Sequence, residues 1–387
     1  MQFLPLSRAI KVGLSGLALA LVTTPAEAAT YITTVIASGL NSPRDLAFGP
    51  DGALYVAESG FIDPATVPAS TYTFLNNGSI TRIAGGSQAR IVSGLPSVFS
   101  TTTNEISGPQ GLAFDADTNT GYLLFGLGAD PAVRPTGSLL GHVVSLSLDG
   151  TFTDYDVSAF EGLYNPLGGA IDSNPFHIAT GAGGVFVTDA AANTLYSLTP
   201  GGAVELDASF PARFIGPPVP ESESVPTGIA VAPDGTRYVS ELTGFPFTPG
   251  AAQIYTLAAG SSTPNVFATG FTNLTDIAFG PDGSLYALSY DLDSLLGPDV
   301  SGGIFRVSST GAVQSIATGL VNPAGLTVDS KGDIYVASIG NGLEGSGQVL
   351  KVSAVPEPAT WGMMLMGFGA IGFVARRRRP ARAAALA

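Results

Sequence analysis

Three acidic residues, Glu58, Asp189 and Glu241, each end a short apolar run of the type Leu54-Tyr55-Val56-Ala57. Side chains so placed are expected at strand ends. Carboxylates meeting there from different strands could hold a calcium ion, which takes about six to eight oxygen ligands. They could equally serve as turn or rim residues. His177 is one of only two histidines, and an imidazole that titrates near neutrality can act as a general base. Beside Asn174 and Pro175 it could instead be a hydrogen-bonded loop residue. Arg44 is the second catalytic candidate, able to pair with Asp45, with Glu58 or with an anionic ligand. The other histidine, His142, begins a strand away from these positions and is expected to be inert.

Several chemistries are excluded or weak. There is no cysteine in the 387 residues, so thiol catalysis, disulfides and Cys-ligated zinc all fall away. Asp115, Asp117, Asn119 and Gly121 approach the opening of a calcium loop. Their glycine is one place late and no glutamate closes the loop, so a widened turn is expected. No phosphate loop, HExxH zinc helix or GxSxG elbow occurs. Between residues 29 and 355 there are nine Lys and Arg against 28 Asp and Glu. A field of that sign opposes binding to a nucleic-acid backbone.

The candidate residues sit in a six-fold repeat. The clearest copies run from Gly39 to Glu58 and from Gly270 to Ser289, and aligning all six places Asp45, Gly111, His177, Gly228, Asp276 and Gly325 in register. Successive spacings are 66, 66, 51, 48 and 49 residues. Each copy reads as a short strand, a turn such as Pro50-Asp51-Gly52, and a second strand. Asp-Gly between apolar runs is a strong hairpin signal. A third strand follows, and in most copies a fourth. Four antiparallel strands repeated radially predict an all-β fold, a six-bladed propeller over 29–354. The sixth copy lacks its fourth strand, and Thr33–Leu40 carries the missing pattern. The N-terminal strand is therefore expected to close the ring and remove its free edges.

Two sets of positions should face the channel or its rim. Arg44 with Asp45, Gln110, His177, Thr227, Asp276 and Ala324 precede the innermost strands. Glu58, Asp189, Glu241, Ser289 and Ser338 end the second strands.

The ends lie outside this repeat. Residues 1–28 have a basic start at Arg8 and Lys11, an apolar run from Val12 to Val22 and the small-residue site Ala26-Glu27-Ala28, the layout of a secretory signal peptide. Residues 355–387 carry Pro356-Glu357-Pro358, then 17 uncharged residues from Ala359 to Ala375, then Arg376 to Arg379. Seventeen residues of helix span about 26 Å, so a transmembrane helix with a cytoplasmic arginine block is expected. This tail resembles the PEP-CTERM sorting tail of Gram-negative bacteria. The resemblance implies processing by a membrane exosortase and delivery to the cell surface or the exopolysaccharide matrix.

Gly39-Leu40-x-x-Pro43, Phe48-Gly49-Pro50-Asp51-Gly52 and Tyr55-Val56-Ala57-Glu58 look like the ScyD/ScyE family of extracytoplasmic propellers, a resemblance covering about residues 30–353. That family implies location more than a reaction. The three strand-end carboxylates are also similar to the site of gluconolactonase-like propellers, where a carboxylate-bound divalent ion activates water for lactone hydrolysis. In a sugar-dehydrogenase-like reading, His177 would abstract a proton beside a quinone, although basic residues for the quinone carboxylates are few.

The leading expectation is a non-enzymatic, monomeric propeller that binds or scaffolds a surface or exopolysaccharide ligand through its long loops, 59–78, 96–107, 129–140, 155–173 and 207–224. The alternative is an enzyme with its site in the central channel, either a metal-dependent lactone or sugar hydrolase or a sugar dehydrogenase.

Overall fold

The computed structural model describes residues 30–355 apart from 68–69, 148–149, 217–220, 298–300 and 341. Tyr31–Val355 forms one compact unit. Six antiparallel sheets make the six expected blades. Their innermost strands are Pro43–Phe48, Pro109–Asp115, Pro175–Gly181, Pro226–Val231, Leu274–Phe279 and Gly325–Val328. Blades one to six follow that order.

Ring closure is as the repeat predicts. Thr30–Leu40 pairs with Gly347–Val355 as the outermost strand of blade six. Leu40, wholly buried, then packs in one cluster with Leu46, Val56, Ala337 and Val349, joining blade six to blade one. The Pro50-Asp51-Gly52 turn also forms as expected. Gly49 donates its amide to the Ala53 carbonyl, and Gly52 sits at φ +74°.

The segments expected to be variable loops contain more structure than the sequence suggested. Blade one has a fifth strand, Glu105–Ser107, and its third and fourth strands run through Tyr72–Ala84 and Ser87–Ser100. Within 155–173 lies a short helix, Val157–Tyr164, outside the blades. Asp156 caps its start by accepting from the Ala159 amide, and Asn165 ends it in the left-handed region at φ +38°.

The expectation of a transmembrane helix needs correction. Among the described residues no helix is long and apolar enough to cross a membrane. The segment from 359 to 375 on which that expectation rested, and the signal-peptide segment 1–28, both lie outside the described residues.

Candidate functional site

Around the channel, the six aligned positions alternate between a polar side chain and a glycine. Asp45, His177 and Asp276 belong to blades one, three and five, and Gly111, Gly228 and Gly325 to blades two, four and six. The glycines permit close approach of the inner strands. A Cβ on Gly228 would lie 2.6 Å from Asp276 Cα, and one on Gly325 would lie 2.4 Å from the Arg44 carbonyl oxygen. The three polar side chains can then meet across the axis.

They do meet. His177 Nε2 is 3.2 Å from Asp276 Oδ1 and 3.5 Å from Asp45 Oδ1. One ligand atom from each of the three residues falls in a group no wider than 4.8 Å. Backbone amides fix both carboxylates. Asp45 accepts from Leu46 of its own strand at 2.6 Å and from Leu112 of blade two at 2.7 Å. Asp276 does the same with Ile277 at 2.7 Å and with Leu326 of blade six at 2.7 Å. His177 Nδ1 is buried without a partner.

Electrostatics follow from this packing. Burial opposes charge on the imidazole, but the nearby Asp276 and Asp45 carboxylates outweigh it and hold His177 well above its ordinary range. Burial pushes the Asp276 carboxyl up, with His177 pulling against it. A cation of some kind, either a proton on the imidazole or a metal ion, is therefore favoured between the two carboxylates.

Asp45 and His177 stand at one end of a cavity of ≈ 230 Å³ that follows the inner strands past Ala47, Thr180, Val231 and Phe279. The cavity thus leads from the cluster toward the Pro-Asp-Gly turns. On the opposite side Arg44, Gln110, Phe176, Thr275 and Tyr290 line a space of only ≈ 70 Å³. Arg44 narrows it by donating to the Ile106 carbonyl at 2.6 Å, and its Nε is buried with no partner.

Glu58, Asp189 and Glu241 are wholly buried, and each is held by donors near its own blade. Glu58 accepts from the Asn41 amide at 2.6 Å, from Arg90 at 2.7 Å and from Thr81. Asp189 accepts from the amides of Asn174 at 2.7 Å and Ala192 at 3.0 Å, and from Ser173. Burial nevertheless pushes its carboxyl up to about 6. Glu241 accepts from Ser224 at 2.7 Å, Tyr255 at 3.0 Å and Arg213. Burial raises its carboxyl against the pull of Arg213.

One pattern unites these contacts. Each acid fastens the end of its second strand to the segment leading into the same blade. Ser289 and Ser338 do likewise, donating to the carbonyls of Thr272 and Val321. The structure therefore brings His177 together with Asp45 and Asp276, while the three strand-end acids act as latches within their own blades. His142 pairs with Asp154 at 2.7 Å on the third strand of blade two. Asp115 accepts from the amides of Asp117 and Thr118, consistent with a turn.

Comparison with known proteins bears on two features. Residues 354–379 match a family model described as the PEP-CTERM protein-sorting motif, which is generally processed by exosortases. No curated protein matches the chain in sequence. Among solved structures, a gluconolactonase from Xanthomonas campestris is 13% identical, with 84% of this chain and 89% of that one covered at a TM-score of 0.52. A Trichoderma reesei protein of Carbohydrate-Active Enzymes Family AA12 is 14% identical, with 86% and 99% covered at 0.51. A streptogramin B lyase is 14% identical, with 84% and 98% covered at 0.49. At such identities the likeness concerns the fold: the chain is a six-bladed propeller carrying a PEP-CTERM motif.

Proposed function

We propose that this protein is an exported propeller enzyme that hydrolyses a small sugar-derived lactone, with a divalent cation held by Asp45, His177 and Asp276 in the channel. The observation that carries this reading is the meeting of one imidazole nitrogen and two carboxylate oxygens from alternate blades at the inner end of a cavity. Their spacing supports a metal. Ligands on a divalent ion at about 2.1 Å stand about 3.0–3.4 Å apart in octahedral or tetrahedral geometry. The two His177 distances, 3.2 and 3.5 Å, are close to that range. Two carboxylates neutralise a divalent charge; the imidazole favours zinc and the carboxylates suit manganese, whereas calcium prefers oxygen throughout.

When bound, such an ion supplies Lewis acidity toward an ester carbonyl. The chain's own residues position and shield the reaction. Amides from two blades fix each carboxylate, so its remaining lone pairs face the axis without reorganisation. Leu46, Ile178, Ile229 and Ile277, packed in the hydrophobic core behind the inner strands, hold the adjoining wall in place. A cavity of ≈ 230 Å³ lies below the about 300–1,000 Å³ typical of drug-sized ligands, which suits a single ring. The sugar-acting enzymes with this fold, a gluconolactonase and a carbohydrate-active protein, support the substrate class.

The test is hydrolysis of aldonolactones by the purified protein before and after chelation, beside Asp276→Asn and His177→Gln. Turnover restored by zinc or manganese, and reduced at least about 100-fold in both variants, is expected. Turnover unaffected by chelation would sink the metal mechanism. No turnover with any aldonolactone would sink the substrate class.

One observation favours a second reading. Asp45 and Asp276 each join two blades through backbone amides, which is what an internal clamp would do in a non-enzymatic binding propeller. The sorting motif supports action at the cell surface or in an exopolysaccharide matrix under either reading. The residues of 39–58 support a place in the ScyD/ScyE family.

A further inference from the structure

A separate cavity of ≈ 540 Å³ lies beside the narrow mouth of the channel, and it is lined by Glu105, Glu161, Asp172 and Glu223 with no Lys or Arg among the described lining residues. Glu161 and Asn165 lie at the C-terminal end of the helix Val157–Tyr164, four residues apart and so on one face. Glu161 is only 3% exposed, and its Oε2 has no hydrogen-bond partner. Asn165 Oδ1 is likewise buried and unpartnered. Both orphaned atoms are acceptors, and both belong to residues that line this cavity.

Four features point to the same kind of ligand. Two buried acceptors call for N–H donors. The C-terminal end of a helix carries partial negative charge, which favours a cation. The carboxyl groups also repel one another: burial, then Asp189 and Asp172, push Glu161 up to about 7, and burial with Glu223 and Asp130 raises Asp172. The fourth feature is spacing. Among the described residues, acids converge tightly enough to share one metal ion at the channel cluster and not here. Acids spread this widely suit a cation larger than a bare ion that carries its own hydrogens. The nearby Arg213 does not fill the role, since it is bound to Glu241.

We propose that this cavity binds an organic ligand bearing a primary ammonium group, which donates to Glu161 Oε2 and Asn165 Oδ1 while Asp172 and Glu223 surround its charge. Two sources share this chemistry, a polyamine and an amino sugar with a free amine. The volume admits either one. Asn174, which also lines the cavity, adds an amide group suited to a hydroxyl-rich partner.

Isothermal titration calorimetry of the full protein tests this, with spermidine, the glucosamine disaccharide and its N-acetylated counterpart as probes. Binding of at least one free amine is expected, with the N-acetylated sugar at least about tenfold weaker. Binding by spermidine alone assigns a polyamine, and binding by the disaccharide alone assigns an amino sugar. Glu161→Gln should weaken the bound amine about 10- to 100-fold. The exposed Glu223→Gln, which leaves the interior intact, should weaken it several-fold and preserve a test if the buried variant fails to fold. Equal affinity for the amine and its N-acetylated form would overturn the proposal. So would no binding of either amine, or calcium displacing the amine in competition.

Discussion

Asp45 and Asp276 occupy equivalent places in two copies of the repeat, and each accepts two backbone amides before it meets His177. Alignment of the copies already placed all three residues in one ring. What the sequence could not convey was which ring members touch across the axis, because that depends on strand separation. The legible signal was the alternation of Asp45, His177 and Asp276 with three glycines, since glycine marks close backbone approach. The strand-end acids read as metal ligands in sequence because carboxylates there look alike, whether they face an ion or a neighbouring amide. Asp189 illustrates the difference. Burial pushes its folded carboxyl up to about 6, against about 3.9 in an unfolded chain. Between those values the native chain binds a proton that the unfolded chain does not, so this group stabilises the fold as pH falls through 6. Asp189→Asn can keep the amide and Ser173 contacts while removing the charge. In urea unfolding, wild type should therefore gain about 1 kcal/mol on the variant between pH 7 and pH 5. Parallel pH profiles would show that Asp189 is not raised.

At the scale of elements, the latches recur with regular spacing. Glu58 to Asn41, Glu241 to Ser224, Ser289 to Thr272 and Ser338 to Val321 are each separated by 17 residues. The repeat thus conserves a fastening between second strand and lead-in segment, with either an acid or a serine making it. The blades and their closure by the strand expected at Thr33–Leu40 were legible, because apolar alternation and Asp-Gly turns fix strands locally. The helix Val157–Tyr164 was not, since eight residues are too few to establish a period against the surrounding loop pattern. Closure can be tested through Leu40, which is wholly buried between blades six and one. Leu40→Ala should cost about 2–5 kcal/mol in denaturant unfolding. Leu206→Ala, on a strand where the side chain is 41% exposed, should cost under about 1 kcal/mol. Similar costs at the two sites would contradict a closing role for the N-terminal strand.

At the scale of the whole molecule, six blades of one chain bring residues 231 positions apart in sequence, Asp45 and Asp276, to the same imidazole. The closed ring makes the channel rigid enough to hold such a group without disulfides, which a chain lacking cysteine cannot form. It also separates two environments, a small cavity behind the cluster and a larger acidic one beside the opposite mouth. The central claim is that the cluster holds a divalent ion. Metal content of the purified protein, measured by inductively coupled plasma mass spectrometry after dialysis against zinc or manganese, tests it most directly. About one equivalent per chain in wild type, falling to below about a tenth in His177→Gln with Glu58→Gln unchanged, is the predicted result. Wild type without stoichiometric metal, or metal lost on substitution of Glu58 and kept on substitution of His177, would contradict it.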